Sequence, residues 1–375
     1  MKITMFVAAL CALGIMAHSI EVTAKETRSA HLEACMISSM NSIDFHGVAL
    51  VGDRNGKYGA IARKEYEEGE VSQFDTNTRF DTGSVTKMFT SVLILQLSEQ
   101  GKLRLDDAIG DYLPDIPNEF QSLKIRSLLS HSSGMGDVLL SEGSLFGDPY
   151  LKALETYEDL EDLRDFVFLH QPQDSGTFRY SNAGYILLGM LIEKLADQRY
   201  ENHLDREIFD KLSMFSTSLN ADNNVAVPYT RWGTGVFPLD LIWSPLERSP
   251  LPFTKGIPAG SAYSTLLDMY RFARALAGDE LIGEDAQAEM FKPAIHYRRN
   301  GADRAYGLGA TLSSDGRTIG HGGSGPGFNS ALRINLDTGD VIVTFANLDR
   351  PMASRAANRL MSDLAEAKSC FKGAN

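Results

Sequence analysis

Ser84 and Lys87 are the pair of residues in this sequence whose types and spacing favour covalent chemistry. Residues three apart on a helix project on the same side, so the hydroxyl and the amine would lie within reach of each other. A serine hydroxyl becomes a good nucleophile when a neighbouring base takes its proton, and a neutral amine can do so. For this role the lysine pKa must fall from about 10.4 to roughly 7 or 8, which burial would favour. The alternative is that Ser84 only caps the helix and that Lys87 lies at the surface.

Two further short motifs contain groups that could take part in such covalent chemistry. In residues 180–182 (Tyr-Ser-Asn), the phenol could exchange a proton with a leaving group, and the asparagine could hold a substrate amide. In residues 321–324 (His-Gly-Gly-Ser), glycines within a predicted strand indicate close approach of another backbone or of a ligand. Taken alone, the first motif is typical of a turn with an asparagine cap. The second is typical of a bulge with a satisfied histidine.

The hydrophobic pattern predicts the elements that must position these motifs. Residues 46–53 and 57–63 are apolar-rich segments joined around Asn55-Gly56, which predicts a β-hairpin. A second group of short strands is predicted near the C-terminus, at residues 306–314, 317–323, 328–335 and 341–347. Helical patterns lie between the two groups and at the C-terminus, at residues 84–100, 124–130, 159–169, 183–197, 201–212, 265–277 and about 352–367.

These elements predict an α/β protein in which the two strand-rich ends meet in one antiparallel sheet. Terminal helices would flank the sheet, and a mostly helical domain would be inserted between its halves. The α/β lobe would comprise about residues 25–80 and 290–375, and the helical lobe about residues 81–289. The helix at residues 84–100 is apolar on nearly all sides, so we expect it to be buried. Ligands tend to bind where two such lobes meet.

The composition is that of an acidic globular chain. The sequence has 375 residues, 43% of them hydrophobic, and its formal net charge is -13 at pH 7. It has no run rich in Lys and Arg, which argues against binding to nucleic acid or to an anionic membrane surface. A small-molecule or peptide substrate is compatible with this charge, and the sequence gives no indication of oligomeric state. No Cys or His cluster has metal-ligand spacing, so we expect no metal and no other cofactor.

The N-terminal 24 residues have the pattern of an export signal. Lys2 provides a positive charge, residues 3–16 are almost uninterruptedly apolar, and residues 22–24 offer small side chains to a peptidase. The apolar run is too short to cross a bilayer as a helix, and the alternative is a short buried helix. We expect cleavage after Ala24, no membrane span thereafter, and a periplasmic or secreted protein of residues 25–375.

Cys35 and Cys370 lie near the two ends of the mature chain. In an oxidising compartment they could pair, provided that the terminal helices lie side by side. The alternative is two unpaired cysteines that behave as small buried hydrophobic residues.

In their order along the chain, the three motifs resemble those of the penicillin-recognising serine hydrolases. That family carries Ser-x-x-Lys, then Ser-Asp-Asn or Tyr-x-Asn, then Lys-Thr-Gly or a relative of it. With its tyrosine, the second motif resembles the form found in the class C β-lactamase-like branch of the family. That branch includes D-Ala-D-Ala carboxypeptidases, D-aminopeptidases and esterases. The resemblance covers roughly residues 40–350 and includes further segments at residues 124–134 (KIRSLLSHSSG), 208–218 (IFDKLSMFSTS), 257–264 (IPAGSAYS), 306–309 (YGLG) and 320–330 (GHGGSGPGFNS). It implies a β-lactamase/transpeptidase-like fold with a five-stranded antiparallel sheet.

The resemblance also implies catalytic roles for individual residues. Ser84 would be the nucleophile, Lys87 its proton acceptor, and Tyr180 the relay of that proton to the leaving group. Backbone N–H groups of Ser84 and Ser324 would form the oxyanion hole. His131, which lies in a segment similar to a family loop, is expected to be structural.

Substrate-binding roles follow from the same resemblance. Asn182 would bind the acyl-side amide of the substrate. The substrate would lie along residues 317–323 like an added strand, in contact with His321 and Gly323.

One departure from the family pattern bears on the choice of substrate. Where β-lactamases of this class have Lys-Thr-Gly, this chain has His321-Gly322-Gly323, so a titratable imidazole replaces a fixed positive charge. The threonine hydroxyl is also absent, and both groups help to seat a substrate carboxylate. We therefore predict a hydrolase of D-Ala-D-Ala-type peptides, D-amino-acid amides or esters, and only weakly of β-lactams. The alternatives are a penicillin-binding sensor or scaffold with little turnover and a β-lactamase proper, which would turn over nitrocefin rapidly.

Overall fold

The computed structural model describes residues 30–63, 74–137, 153–154, 156–221, 224–231, 246–249, 255–299 and 301–366. The predicted signal segment, the end of the predicted C-terminal helix and Cys370 lie outside these ranges, so the predictions made for them stay predictions. Within the described ranges, no helix has the length and apolar character needed to span a membrane.

An eight-stranded sheet is the frame of the described part of the chain. In chain order its strands are β1 (Gly47–Gly52), β2 (Tyr58–Arg63), β3 (Ile295–Arg299), β4 (Ala302–Tyr306), β5 (Thr311–Leu312), β6 (Thr318–Gly325), β7 (Phe328–Asn335) and β8 (Val341–Ala346). Their spatial order is β2-β1-β8-β7-β6-β5-β4-β3, and every neighbouring pair is antiparallel. The α/β class, the antiparallel sheet and the hairpin around Asn55-Gly56 are thus confirmed.

The predicted number of five strands was wrong. The additional hairpin β3–β4 has the sequences IHYRR and ADRAY, whose side chains are largely polar and exposed, so no apolar alternation marks it. The predicted strand at residues 306–314 is also divided. A turn in which the Gly307 N–H donates to the Ala310 carbonyl separates β4 from β5.

Helices cover both faces of the sheet. The longer ones are α1 (residues 30–41), α2 (Thr86–Glu99), α3 (Asn182–Ala196), α4 (Leu266–Ala277), α5 (Glu284–Phe291) and α6 (Met352–Ala365). The shorter α-helices are Asn118–Gln121, Ile125–Leu129, Arg164–Val167 and Tyr200–Leu204, with 3-10 turns at Gly83–Val85, Ile109–Asp111 and Leu160–Leu163 and a π-helical turn at Asp205–Phe209. Two short strand pairs complete these elements, Phe80–Asp81 with Tyr263–Ser264 and Tyr229–Thr230 with Glu247–Arg248. Helix α5 was not predicted, and the predicted helices at 159–169 and 201–212 are each divided into short turns.

The two faces of the sheet pack against different helices. Along β1, Val48 and Leu50 join the large core that contains α2, α3 and α4, whereas Ala49 and Val51 join a smaller core with α1 and α6. This alternation follows from the two-residue period of a strand. The terminal helices therefore flank one face of the sheet, as expected.

Helices α1 and α6 also contact each other directly. The Ser39 hydroxyl donates to the buried Asp363 carboxylate at 2.6 Å, which links the two helices. Cys35, on α1, takes part in a disulfide bond. Its pairing with Cys370 stays a prediction, because Cys370 lies outside the described ranges.

Candidate active site

Ser84 lies in a tight 3-10 turn, Gly83–Val85, directly before α2. The sequence predicted that the helix begins at Ser84, but regular α-helix begins at Thr86. Gly83 makes the turn possible, because its φ is +50° and a Cβ there would lie 2.9 Å from the Phe328 ring. The Gly83 N–H donates to the Asp81 carboxylate at 2.7 Å, and this hydrogen bond stabilises the turn.

Helix α2 is buried along most of its length, from Thr86 to Leu97, as its apolar pattern predicts. Lys87 is part of this buried stretch and has no solvent-exposed surface. Burial lowers the pKa of Lys87 to about 7, while the negative charge of Asp137 acts in the opposite direction. A large fraction of the amine is therefore neutral at neutral pH.

Three oxygen atoms surround the Lys87 amine. Its Nζ lies 3.2 Å from the Ser84 hydroxyl and 2.7 Å from Asn182 Oδ1, and it also contacts the Ala259 carbonyl oxygen. In its charged form the amine donates to all three. In its neutral form the two N–H bonds go to Asn182 Oδ1 and the Ala259 carbonyl, which only accept, and the lone pair is left for the Ser84 hydroxyl proton.

Tyr180 completes this cluster of side chains. Lys87 Nζ lies 4.7 Å from the centroid of the Tyr180 ring. Burial raises the pKa of Tyr180, and the influence of the Ser84 hydroxyl acts in the opposite direction. The phenol is therefore protonated at neutral pH and can donate a proton.

The loop that carries Tyr180 is fixed by His131 and by the start of α3. His131 Nδ1 accepts from the Ser181 N–H at 3.1 Å, and its ring centroid lies 4.1 Å from that of Tyr180. The Ser181 hydroxyl caps α3 by accepting from the Gly184 N–H at 3.0 Å. His131 touches no open part of the cleft, being 1% exposed, which agrees with the structural role expected for it.

Strand β6 forms the opposite wall of the site. It pairs with β7 over residues 318–325, but with β5 only at Ile319 and Gly320. Among the described residues, no strand covers the other edge of residues 321–325. Backbone groups on this edge are therefore available to an extended ligand.

Gly323 brings β6 against the turn that carries Ser84. A Cβ on Gly323 would lie 2.1 Å from the Thr82 carbonyl oxygen and 2.4 Å from the Ser330 hydroxyl. A Cβ on Gly83 would lie 3.0 Å from the Ser324 nitrogen. The backbones of the two segments are in direct contact, as the glycine pattern predicts.

His321 is buried and uncharged at neutral pH. Burial, and then the charge of Lys87, lower its pKa to about 3. Its Nδ1 lies 2.7 Å from the Gly322 carbonyl oxygen, which only accepts, so Nδ1 carries the proton. Nε2 then accepts from the Tyr306 hydroxyl at 2.9 Å. The imidazole that the sequence marks as titratable supplies no positive charge in the neutral range.

Residues from all three motifs line one cleft of about 780 Å³. Its lining includes Ser84, Tyr180, Asn182, His321 and Ser324. Within the part of the chain that is described, no group of three or more His, Cys, Asp or Glu side chains could hold a metal ion.

Asp137 and Tyr306 are among the residues of this cleft that sequence reasoning missed. Asp137 accepts from Asn182 Nδ2 at 3.2 and 3.0 Å through its two oxygens. It lies in a loop 45 residues before Asn182, and no local spacing connects the two. Tyr306 is the first residue of the segment YGLG, which the family resemblance includes without assigning a role to it.

Comparison with known proteins places the chain in a family. The model of the Beta-lactamase family matches residues 32–366. The chain belongs to this family and is a serine hydrolase with a β-lactamase/transpeptidase-like fold.

Individual relatives agree with this assignment. Penicillin-binding protein 4 of Amycolatopsis lactamdurans is 28% identical over 80% of this chain and 80% of its own length. A penicillin-binding protein from Bacillus halodurans has a similar structure, with a TM-score of 0.72, 24% identity, and coverage of 88% of this chain and 98% of its own. A D-amino acid amidase from Ochrobactrum anthropi SV3, solved with L-phenylalanine amide, gives a TM-score of 0.73 at 22% identity, with 91% and 99% coverage. At these identities, the two structures establish the fold alone.

Proposed function

We propose that this protein is an exported hydrolase that cleaves amide or ester bonds of small substrates through an acyl-enzyme on Ser84. The observation that carries the proposal is the Lys87 amine, fully buried, 3.2 Å from the Ser84 hydroxyl and with a pKa of about 7. An amine in this state is a base matched to neutral pH.

The reaction would proceed in two half-reactions. Ser84 Oγ attacks the substrate carbonyl carbon while its proton passes to Lys87 Nζ. Tyr180 gives a proton to the leaving nitrogen or oxygen and is reprotonated from Lys87, and the bond to the leaving group breaks. Water then attacks the acyl-Ser84 carbonyl carbon and loses a proton to the same groups. The bond from that carbon to Ser84 Oγ breaks, the proton is returned to Oγ, and the acid leaves.

The developing negative charge would be stabilised by the backbone N–H groups of Ser84 and Ser324. This role is supported by the contact between the turn at Gly83 and the strand at Gly323 and Ser324. The exposed edge of β6 supports binding of the substrate as an added strand. Such donors act on charge that appears in the transition state, so their loss typically reduces the rate by about 10²–10³.

The neutral state of His321 favours some substrates over others. With an uncharged imidazole and no threonine hydroxyl in the third motif, a substrate carboxylate gains little there. D-Amino-acid amides, D-Ala-D-Ala-type peptides and esters are therefore the proposed substrates, and efficient β-lactam turnover is not expected.

Export to the periplasm or to the medium is part of the proposal. It is supported by the signal-like pattern of residues 1–24 and by relatives named penicillin-binding proteins.

The test is hydrolysis of a p-nitrophenyl ester, a D-amino-acid amide, a D-Ala-D-Ala peptide and nitrocefin by the wild type and by Ser84→Ala. We expect steady turnover of the ester and the amide, a mass adduct on Ser84 in the intact protein, and background rates for Ser84→Ala. Ser362→Ala removes an exposed hydroxyl on α6 and should leave both rates unchanged. Activity that survives Ser84→Ala would refute the proposal, and acylation without turnover would identify a sensor instead.

A further inference from the structure

The hairpin β3–β4, which the sequence did not predict, forms part of the cleft. Tyr297, Arg298 and Arg299 of strand β3 are among the residues that line it. Tyr297 pairs with Arg304 and Arg299 pairs with Ala302. Because they are two residues apart on a strand, Tyr297 and Arg299 lie on the same face of the hairpin. The proposed mechanism uses neither of these side chains.

Tyr297 connects the hairpin to the segment that carries Tyr180. Its ring stacks on that of Phe178, with the ring centroids 3.8 Å apart and the planes inclined by 8°. Phe178 lies two residues before Tyr180 in the chain and lines the same cleft. The two half-buried rings therefore form an apolar surface next to the proposed proton donor of the leaving group.

The charged side chains that line the cleft are mostly basic, although the chain as a whole has a formal net charge of -13. The basic ones are Lys255, Arg298, Arg299 and Arg350, and the acidic ones are Asp137 and Asp349. Asp137 accepts hydrogen bonds from Asn182 Nδ2. Asp349 accepts from the Gly327 N–H. A cleft with an excess of positive charge attracts anionic ligands.

Arg299 differs from Lys255 and Arg298, which both donate to backbone carbonyl oxygens. Its side chain is exposed, and its guanidinium makes no hydrogen bond or ion pair with another residue that the structure describes. Its charge also reaches Tyr180: burial raises the pKa of that phenol, and Arg299 is among the groups that oppose the rise. Electrostatic effects decline with distance, so the guanidinium lies on the Tyr180 side of the cleft, where the leaving group would receive its proton.

We propose that Arg299 binds a carboxylate on the leaving group of the substrate, while Phe178 and Tyr297 contact the apolar atoms of that group. A guanidinium can donate two parallel N–H bonds to a carboxylate, so it is well suited to this role. The site is separate from the third motif at residues 321–323, where a carboxylate gains little. The inference rests on the proposed function, and among the substrates named above it selects peptides and esters with an acidic leaving group.

Two esters that differ only in the charge of the leaving group provide the test. 3-Acetoxybenzoate and 3-acetoxybenzamide form the same acetyl-enzyme, and both leave as a phenol that carries one further group on the ring. An ion pair at an exposed position typically contributes up to about fivefold in affinity or rate. We therefore expect kcat/KM for the benzoate to exceed that for the benzamide by about fivefold at low ionic strength.

The ratio of the two kcat/KM values is measured in the wild type, in Arg299→Gln and in Arg299→Lys. Arg299→Gln removes the charge, so the ratio should fall at least threefold, whereas Arg299→Lys should retain part of the preference. Since salt screens an exposed ion pair, the wild-type ratio should also fall as NaCl is raised from about 0.02 M to about 0.5 M. Arg317→Gln, at an exposed arginine in the turn between β5 and β6, is the matched control and should leave the ratio unchanged.

Two outcomes would overturn the inference. One is the same ratio in Arg299→Gln as in the wild type, and a fall in Arg350→Gln instead would assign the carboxylate to the segment before α6. The other is a wild-type ratio that does not change with salt. If the wild type hydrolyses neither ester and forms no adduct on Ser84, the proposed function itself fails, and this result is distinct from the first two.

Discussion

The two walls of the cleft are built on different principles. On the helical wall, Lys87, Asn182 and Asp137 are buried side chains that hydrogen-bond to one another. On the strand wall, β6 offers glycine backbone and one neutral imidazole along an edge that no described strand covers. The difference indicates that the two walls have separate roles. The helical wall determines the charge state of the reacting groups, and the strand wall determines how closely the substrate backbone can approach.

Replacement of Lys87 by methionine removes the proposed base from the helical wall and should have the largest effect on activity. Methionine fills a similar apolar volume but cannot accept the Ser84 proton, and proton transfer of this kind contributes about 10²–10⁴-fold. We expect kcat/KM for a p-nitrophenyl ester to fall by that factor. The thermal midpoint, measured in parallel, should fall modestly, because methionine leaves Asn182 Oδ1 and the Ala259 carbonyl oxygen without this donor. Lys124→Met, at an exposed position, is the control, and a loss of less than tenfold in Lys87→Met would contradict the account.

Replacement of Gly323 by alanine breaks the contact between the two walls. The new Cβ would lie 2.1 Å from the Thr82 carbonyl oxygen, so β6 must move away from the turn that carries Ser84. Loss of one aligned oxyanion donor predicts a fall in kcat of about 10²–10³-fold.

Gly322→Ala is the matched control for this prediction. A Cβ there meets its nearest neighbours at 3.6 Å and 3.7 Å, which is ordinary contact. Its kcat should stay within a fewfold of wild type. Equal losses in the two alanine variants would show that the strand wall does not depend on this backbone contact.

Asp81→Asn tests the turn at Gly83–Val85, which contacts both walls. The effect is measured on the free energy of unfolding rather than on activity. Burial raises the pKa of Asp81 from 3.8 to about 7, so the folded protein binds this proton more tightly than the unfolded chain. Wild-type stability should therefore fall, through this group, as the pH rises from about 4 to about 7, by up to roughly 1.4 kcal/mol per pH unit. Asparagine keeps an oxygen for the Gly83 N–H and carries no charge.

The free energy of unfolding of Asp81→Asn, relative to that of wild type, should therefore increase as the pH rises from about 4 to about 7. Above pH 7 this difference should stay constant. Urea titrations at several pH values between 4 and 8.5 measure the difference. A difference that is independent of pH would show that Asp81 does not take up a proton in the folded protein.

Tyr306→Phe refines the description of the strand wall and should have the smallest effect. It removes the hydroxyl that donates to His321 Nε2 and leaves the aromatic ring in place. A neutral hydrogen bond contributes about 0.5–1.5 kcal/mol, so we expect a change in KM of about tenfold or less with little change in kcat. A fall in kcat of more than a hundredfold would instead place Tyr306 among the reacting groups.

The proximity of residues in the candidate site could be predicted from the sequence where local spacing determines contact. Ser84 and Lys87 lie one helical turn apart, and Tyr180 and Asn182 flank a single cap residue at the start of α3, so their proximity follows from backbone geometry. The glycine at position 323 predicted a close approach without identifying its partner, Thr82.

Other features depend on contacts between distant parts of the chain, which no local pattern contains. Asp137 meets Asn182 across 45 residues, and the neutral state of His321 depends on its burial beside Tyr306 and on the charge of Lys87. The hairpin β3–β4 was missed for a different reason, because its exposed, polar side chains lack the two-residue apolar period. The 3-10 turn at Ser84 depends in turn on the contact between Gly83 and β6.

The central claim, that a neutral Lys87 amine activates Ser84, is tested most directly by the pH dependence of acylation. The rate of acyl-enzyme formation with p-nitrophenyl acetate, which has no group that titrates in this range, would be followed in single turnovers from pH 5 to 10. Protonated Lys87 cannot accept the Ser84 proton, so the rate should rise with pH through an apparent pKa near 7 and then level off. A rate that is flat across this range, or that inflects near 10.4 as for an ordinary exposed lysine, would contradict the account.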